Sequence, residues 1–255
     1  MRSYKHCIQI SARVRLSIIH RRIASPIAYR PAPFRTYCSD QLPSSNESNH
    51  TIRLMPLGGS ITYGVESSDR NGYRRYLQNM LLADGNNVTM VGSRRAGSMS
   101  NNDHEGWRGF RIDQIESKAK NSVPQLMPNL ITINAGSNDC IQDFDVGCIG
   151  KRMGNMLDVI WAASPDSTVI LSSLILNLDT EVESRIRWAN DQFQGIALSK
   201  QSGGKRIVFV DMHSQWGPKE NDISDGTHPN DQGYYKMAKI WYKGVLEAMA
   251  NGFIS

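Results

Sequence analysis

A chain of 255 residues, 40% hydrophobic and 21% charged, has the composition of an ordinary globular protein, long enough for one large core or two small ones. No uninterrupted apolar run approaches the roughly 18 residues of a membrane-spanning helix. The formal net charge of +5 belongs to the first 39 residues, which hold eight Lys or Arg and no acid; the remaining 21 basic and 24 acidic residues argue against a nucleic-acid surface.

That basic arm, Met1–Ser39, is Arg-rich, Ser-containing and acid-free, the composition of an organelle-targeting presequence. FRTYCSD, Phe34 to Asp40, is similar to a mitochondrial processing pattern. Against this, Ile8, Ile10, Ala12, Val14, Leu16 and Ile18 alternate with period two and not as an amphipathic helix. Arg13 and Arg15 interrupt the apolar core that a secretory signal needs. QLPSSNESNH, Gln41 to His50, reads as a polar linker. Of the four cysteines, Cys7 and Cys38 lie in the arm, whereas Cys140 and Cys148 are close enough in sequence to pair in an oxidising compartment. No CxxC or zinc-type spacing occurs.

From residue 51 onward, short apolar runs alternate with longer helical patterns. Strands are expected at Thr51–Leu57, Asn87–Val91, Leu130–Asn134, Thr168–Ser172 and Arg206–Asp211. Helices are expected at Tyr73–Ala83, Ile112–Met127, Gly150–Ala163, Glu181–Ser199 and Asp231–Ala250. Strand alternating with helix predicts an α/β fold with a parallel sheet covered on both faces. In such sheets ligands bind beyond the carboxyl ends of the strands.

The segments just after the strands hold residues suited to acyl transfer. Gly58-Gly59-Ser60 follows the first strand, NNDHEGWRGFRI the second, Ala135-Gly136-Ser137-Asn138-Asp139 the third, and a loop ending SDGTHPND the fifth. A serine hydroxyl needs an imidazole to take its proton, and the imidazole needs an acceptor to fix its tautomer. His228 can be that base and Asp225, three residues earlier, its acceptor. The N–H groups of Ser60 and Gly109 and the amide of Asn138 can supply an oxyanion hole.

Each residue alone has a plainer reading. Ser60 can be a turn residue, Asn138-Asp139 can cap a helix, and Asp225 can cap the turn before Pro229. No Gly-Lys-Ser/Thr follows Ser60, so a phosphate loop is not expected. The joint occurrence of these residues after successive strands favours the nucleophile. His104 can line the site or hold its loop. His213, two residues after Asp211, forms a poorer alternative acid–base pair. Trp107, Trp188 and Trp216 can stack on a sugar ring, although burial is the usual fate of tryptophan; Trp107 flanks Gly109.

LGGSITYG, the GWRG loop, AGSND and DGTHPN resemble the four blocks of the SGNH, or GDSL, hydrolases, in the order Ser60, Gly109, Asn138, His228. The flanking stretches GYRRYL, VGS, NDHEGWRGFRIDQI, NAGSNDC and DGTHPNDQGYYKMAKIWY resemble the acetyl-xylan-esterase-like branch, carbohydrate esterase family three. The resemblance covers Thr51 to the C-terminus. It implies a flavodoxin-like three-layer α/β/α sandwich on a five-stranded parallel sheet, and a serine esterase that uses no cofactor. It implies a short-chain, acetyl ester of a carbohydrate as substrate; lysophospholipase or thioesterase chemistry on the same residues, or a non-catalytic binding module, are the alternatives. The family branch would also suit a secreted protein, whereas the arm suits a mitochondrial one. One departure is that Gly59 stands where the commonest family block has aspartate, and glycine there is expected to take up backbone angles that a side chain would forbid.

Overall fold

Eight residues, Thr51–Gly58, form β1, an interior strand of the sheet. The computed structural model describes residues 49–254; the arm, most of the linker, and the expectations for targeting, Cys7 and Cys38 lie outside the described residues. After β1 come a short helix α1 (Ser60–Tyr63), α2 (Tyr73–Ala83), β2 (Asn87–Met90), β3 (Arg94–Arg95), β4 (Asp103–Gly106) and α3 (Ile112–Leu126). They are followed by β5 (Leu130–Asn134), α4 (Ser137–Ile141), α5 (Ile149–Ala163), β6 (Thr168–Ser172), α6 (Thr180–Ser202), β7 (Ile207–Val210) and α7 (Asp231–Ala250).

The five expected strands pair in parallel in the order β2-β1-β5-β6-β7, the flavodoxin-like arrangement. Two short strands are additional: β4 joins β1 in parallel, and β3 pairs antiparallel with β4. The lower half of β1, Thr51 to Leu54, pairs with β2, whereas Leu57 and Gly58 pair with β4. Pro56 is buried at this change of neighbour. The carbonyls of Leu54 and Gly58 bond toward the β2/β4 side, so the N–H that proline lacks would have pointed into the gap between those strands.

Side chains alternate across the sheet. Ile131, Ile133, Val169 and Leu171 face α3, α5 and α6, whereas Leu130, Ile170, Val208 and Val210 face α2 and α7. Tyr73, Leu77 and Leu81 recur at helical spacing on α2, as do Tyr234, Met237, Trp241, Val245 and Ala248 on α7, and both stripes are buried. No helix of the described residues is long and apolar enough to cross a membrane. Cys140 is buried and free, so it is not paired with Cys148, and burial pushes its thiol up to about 12.

Two fully buried polar side chains organise the loops above β1 and β4. Arg74 donates to the carbonyls of Tyr63 (3.1 Å), Arg70 (2.9 Å), Ala96 (3.0 Å) and Asn102 (3.1 Å). Burial lowers its pKa to about 10, which leaves it charged at neutral pH. His104 on β4 accepts the N–H of Gly106 on Nδ1 at 2.9 Å and meets the Tyr63 ring edge-on. Burial, then the nearby charges of Arg74 and Arg94, depress its pKa from 6.5 to about 3. The folded protein therefore holds His104 neutral over a range where the unfolded chain protonates it. The contribution is present above the unfolded pKa and is lost as pH falls from there toward the folded pKa. Between about pH 7 and about pH 5 the wild type should lose up to about 2 kcal/mol more stability than His104→Asn, which keeps an acceptor for Gly106. Urea midpoints at the two pH values measure this, and parallel pH dependence of the two proteins would contradict it.

Candidate active site

Gly58 ends β1 in tight contact with β5. A Cβ there would lie 2.1 Å from the Asn134 carbonyl oxygen and 2.5 Å from Thr62 Oγ1, so only glycine fits. Gly59 then bonds through its N–H to Asn134 O at 3.3 Å and caps α1. Gly59 has φ −93° and ψ −146°, outside both the helical and the extended ranges, although not in the left-handed region. A Cβ there would touch Asn138 Nδ2 at 3.5 Å, an ordinary contact. Ser60 is the first residue of α1, so its N–H has no acceptor within the helix.

The partner imidazole arrives from the opposite end of the chain. Asn230 caps α7 by accepting the Gly233 N–H at 3.0 Å, and Tyr234 donates its hydroxyl to the Val65 carbonyl at 2.5 Å. This ties the start of α7 to the loop after Ser60. His228 Nε2 lies 2.7 Å from Ser60 Oγ, and His228 Nδ1 lies 2.7 Å from Asp225 Oδ2. The other Asp225 oxygen accepts the N–H groups of Thr227 (3.1 Å) and His228 (2.8 Å), so one carboxylate caps the turn and orients the ring. Partial burial raises the Asp225 pKa, but the His228 ring and these N–H groups outweigh it and hold the carboxyl below its ordinary value. From behind, Leu178 N–H bonds to Gly226 O at 2.9 Å and Asn177 Nδ2 to Thr227 Oγ1 at 3.0 Å.

Asn138 sits on α4 and donates one Nδ2 hydrogen to Phe110 O at 3.0 Å, leaving the other free toward the Gly59–Ser60 corner. Its neighbour Asp139 is fully buried, accepts the Ile112 N–H at 3.1 Å and pairs with Arg152. That pair fixes α4 against the start of α3. Burial raises the Asp139 pKa, with Arg152 opposing. Nothing in the sequence pattern distinguished Asp139 from a simple helix cap. Gly109 lies exposed at the tip of its loop with φ +77°, a left-handed turn that glycine adopts without strain.

The other sequence candidates lie elsewhere. His104 is buried beneath the loop and does not line the cleft. The Trp107 ring stacks on Phe110, lies between Arg94 at 4.3 Å and Lys118 at 4.4 Å, and donates Nε1–H to Glu105 at 3.1 Å. Its part in the site is through its backbone, since its N–H bonds to Gly58 O at 2.8 Å. The His213 ring pairs with Glu183 at 2.8 Å; Asp211 accepts the His213 backbone N–H and the Ser173 hydroxyl, and not the His213 ring. Trp188 and Trp216 are exposed, against the burial usual for tryptophan. No cluster of three or more metal-ligating side chains occurs among the described residues. A small cavity between Ser60, Phe110, Asn134, Gly136 and Asn138 has a free volume of about 10 Å³. That is room for about one water-sized group. A hydroxyl, an imidazole and a carboxylate in line can move a proton off the hydroxyl and return it to a leaving group.

The model of the GDSL-like lipase/acylhydrolase family matches residues 57–236. A family 3 carbohydrate esterase from Clostridium thermocellum is 30% identical, with a TM-score of 0.71 over 78% of this chain and 98% of that one. A multidomain esterase from Ruminococcus flavefaciens is 26% identical over 235 residues, 80% of this chain but 29% of that protein's length. A family 3 carbohydrate esterase from Talaromyces cellulolyticus, at 22% identity, shares the fold with a TM-score of 0.69 over 79% of this chain and 99% of that one. The matched span reaches from the end of β1 into α7 and takes in Ser60, Gly109, Asn138, Asp225 and His228, and the chain belongs to the GDSL-like lipase/acylhydrolase family.

Proposed function

We propose that this chain is a serine esterase that removes a short acyl group, acetate, from an oxygen of a carbohydrate. The observation that carries the reading is the unbroken line Asp225–His228–Ser60, with both hydrogen bonds at 2.7 Å. Similarity to family 3 carbohydrate esterases supports the carbohydrate substrate.

In this reading Ser60 Oγ attacks the ester carbonyl carbon as its proton passes to His228 Nε2. Asp225 accepts the Nδ1–H and stabilises the imidazolium. The developing oxyanion is held by the N–H groups of Ser60 and Gly109 and by the free Asn138 Nδ2 hydrogen, each such donor contributing roughly 3 kcal/mol to the transition state. Collapse breaks the bond to the sugar oxygen, which leaves with the proton from His228. Water, deprotonated by His228, then attacks the acetyl-Ser60 ester; its proton returns to Ser60 Oγ and acetate departs. The space beside Ser60 is small, which favours a short acyl group over the long chain of the lysophospholipase alternative.

With p-nitrophenyl acetate, Ser60→Ala should lower kcat by at least about 10³-fold. Equal rates for the two proteins would refute the nucleophile assignment. In the wild type, kcat/KM should fall about tenfold or more from the acetate to the butyrate ester. An octanoate ester cleaved as fast as acetate would refute the short-acyl reading.

A further inference from the structure

A second cleft opens beside the Ser60 helix. Its volume is about 360 Å³, and its lining includes Tyr63, Gly64, Glu66, Arg70 and Arg108. It adjoins the candidate active site on two sides. Tyr63 closes α1, and the Val65 N–H at its floor bonds to Ser60 O at 3.1 Å. Arg108 immediately precedes Gly109 in the GWRG loop.

The cations here lack counter-charges. Among the described residues, Arg70, Arg94 and Arg108 form no ion pair within 4.0 Å, whereas nearby Arg75, Arg95 and Arg111 each do. Arg94 and Arg108 flank the Tyr63 ring at 5.9 and 5.7 Å from its centroid. Glu105 forms no ion pair with them; its oxygens accept the N–H and hydroxyl of Ser93 and the Trp107 indole N–H. Glu66 is the acid in the lining, and it is exposed. The walls are held in place, since the Tyr63 and Arg70 carbonyls are both bonded to buried Arg74.

Arg70 and Arg108 are exposed, and guanidinium groups without a carboxylate partner can bind a planar carboxylate in bidentate fashion. We propose that this cleft binds a uronic acid residue of the glycan that carries the ester, its carboxylate held by Arg70 and Arg108. The proposal rests on the carbohydrate-esterase reading and adds the charge of the substrate to it.

The test compares two acetylated oligosaccharides that differ only in a uronic acid and its carboxyl-reduced, neutral counterpart. The readout is the ratio of kcat/KM, acidic over neutral. The wild type should prefer the acidic sugar by about tenfold at low salt, as expected of one charge-assisted contact. Arg108→Gln and Arg70→Gln should each bring the ratio toward unity, Glu66→Gln should raise it, and added salt should compress it. Opposite signs for the arginine and glutamate variants are not expected of a general loss of folding. A wild-type ratio near unity, or a ratio unmoved by these variants, would overturn the proposal. Inactivity on both sugars and on p-nitrophenyl acetate would instead overturn the esterase reading, and the proposal with it.

Discussion

The structure around Ser60 depends on a buried cation that has no carboxylate partner. Taking a guanidinium out of water costs several kcal/mol unless its donors are matched. Arg74 offsets most of that cost through Nη1 and Nη2, which donate to four carbonyls from separate segments: the end of α1, the loop before α2, and both sides of the β3–β4 turn; its Nε has no hydrogen-bond partner among the described residues. None of these segments can move away without leaving a buried charge or a buried carbonyl unpaired. The loop after the candidate nucleophile and the walls of the arginine-lined cleft are therefore one cooperative unit. Tyr234 joins α7 to the same unit through Val65 O, and this lets His228 meet a serine 168 residues earlier in the chain.

The parallel core was legible because strands buried on both faces read as apolar runs. β5 and β6 have the expected bounds, and β1, β2 and β7 differ only at their ends. Ser60, Asn138, Asp225 and His228 were legible for a related reason: they follow strand ends in a fold that gathers such positions at one edge. The strands β3 and β4 were not visible, because Arg94-Arg95 and Asp103-His104-Glu105-Gly106 have the polar composition of a loop. Except for exposed Arg95, they are buried or half-buried through specific hydrogen bonds that hydropathy does not encode. The same holds for Arg74, which the sequence presents as one of two adjacent arginines on an amphipathic helix. Gly58 is constrained by close approach to β5, which depends on a tertiary contact and not on the local sequence.

Chemistry and specificity are divided between different parts of the fold. Ser60 and Asn138 follow the adjacent strands β1 and β5, Asp225 and His228 lie in the loop between β7 and α7, and buried polar contacts such as Asp139 with Arg152 brace the site. The confined space beside Ser60 would select the acyl group, and the loops outside it would select the sugar. Similar relatives can thus share the first part and differ in the second, as surface loops on a common α/β scaffold do.

The central claim is that Ser60 is a nucleophile activated by His228. Its most direct test is covalent labelling of the folded chain with a fluorophosphonate, followed by peptide mapping. The account predicts a label on the peptide that contains Ser60 and on the Ser60 side chain itself. A folded, ester-hydrolysing protein that carries no label on Ser60 would contradict it.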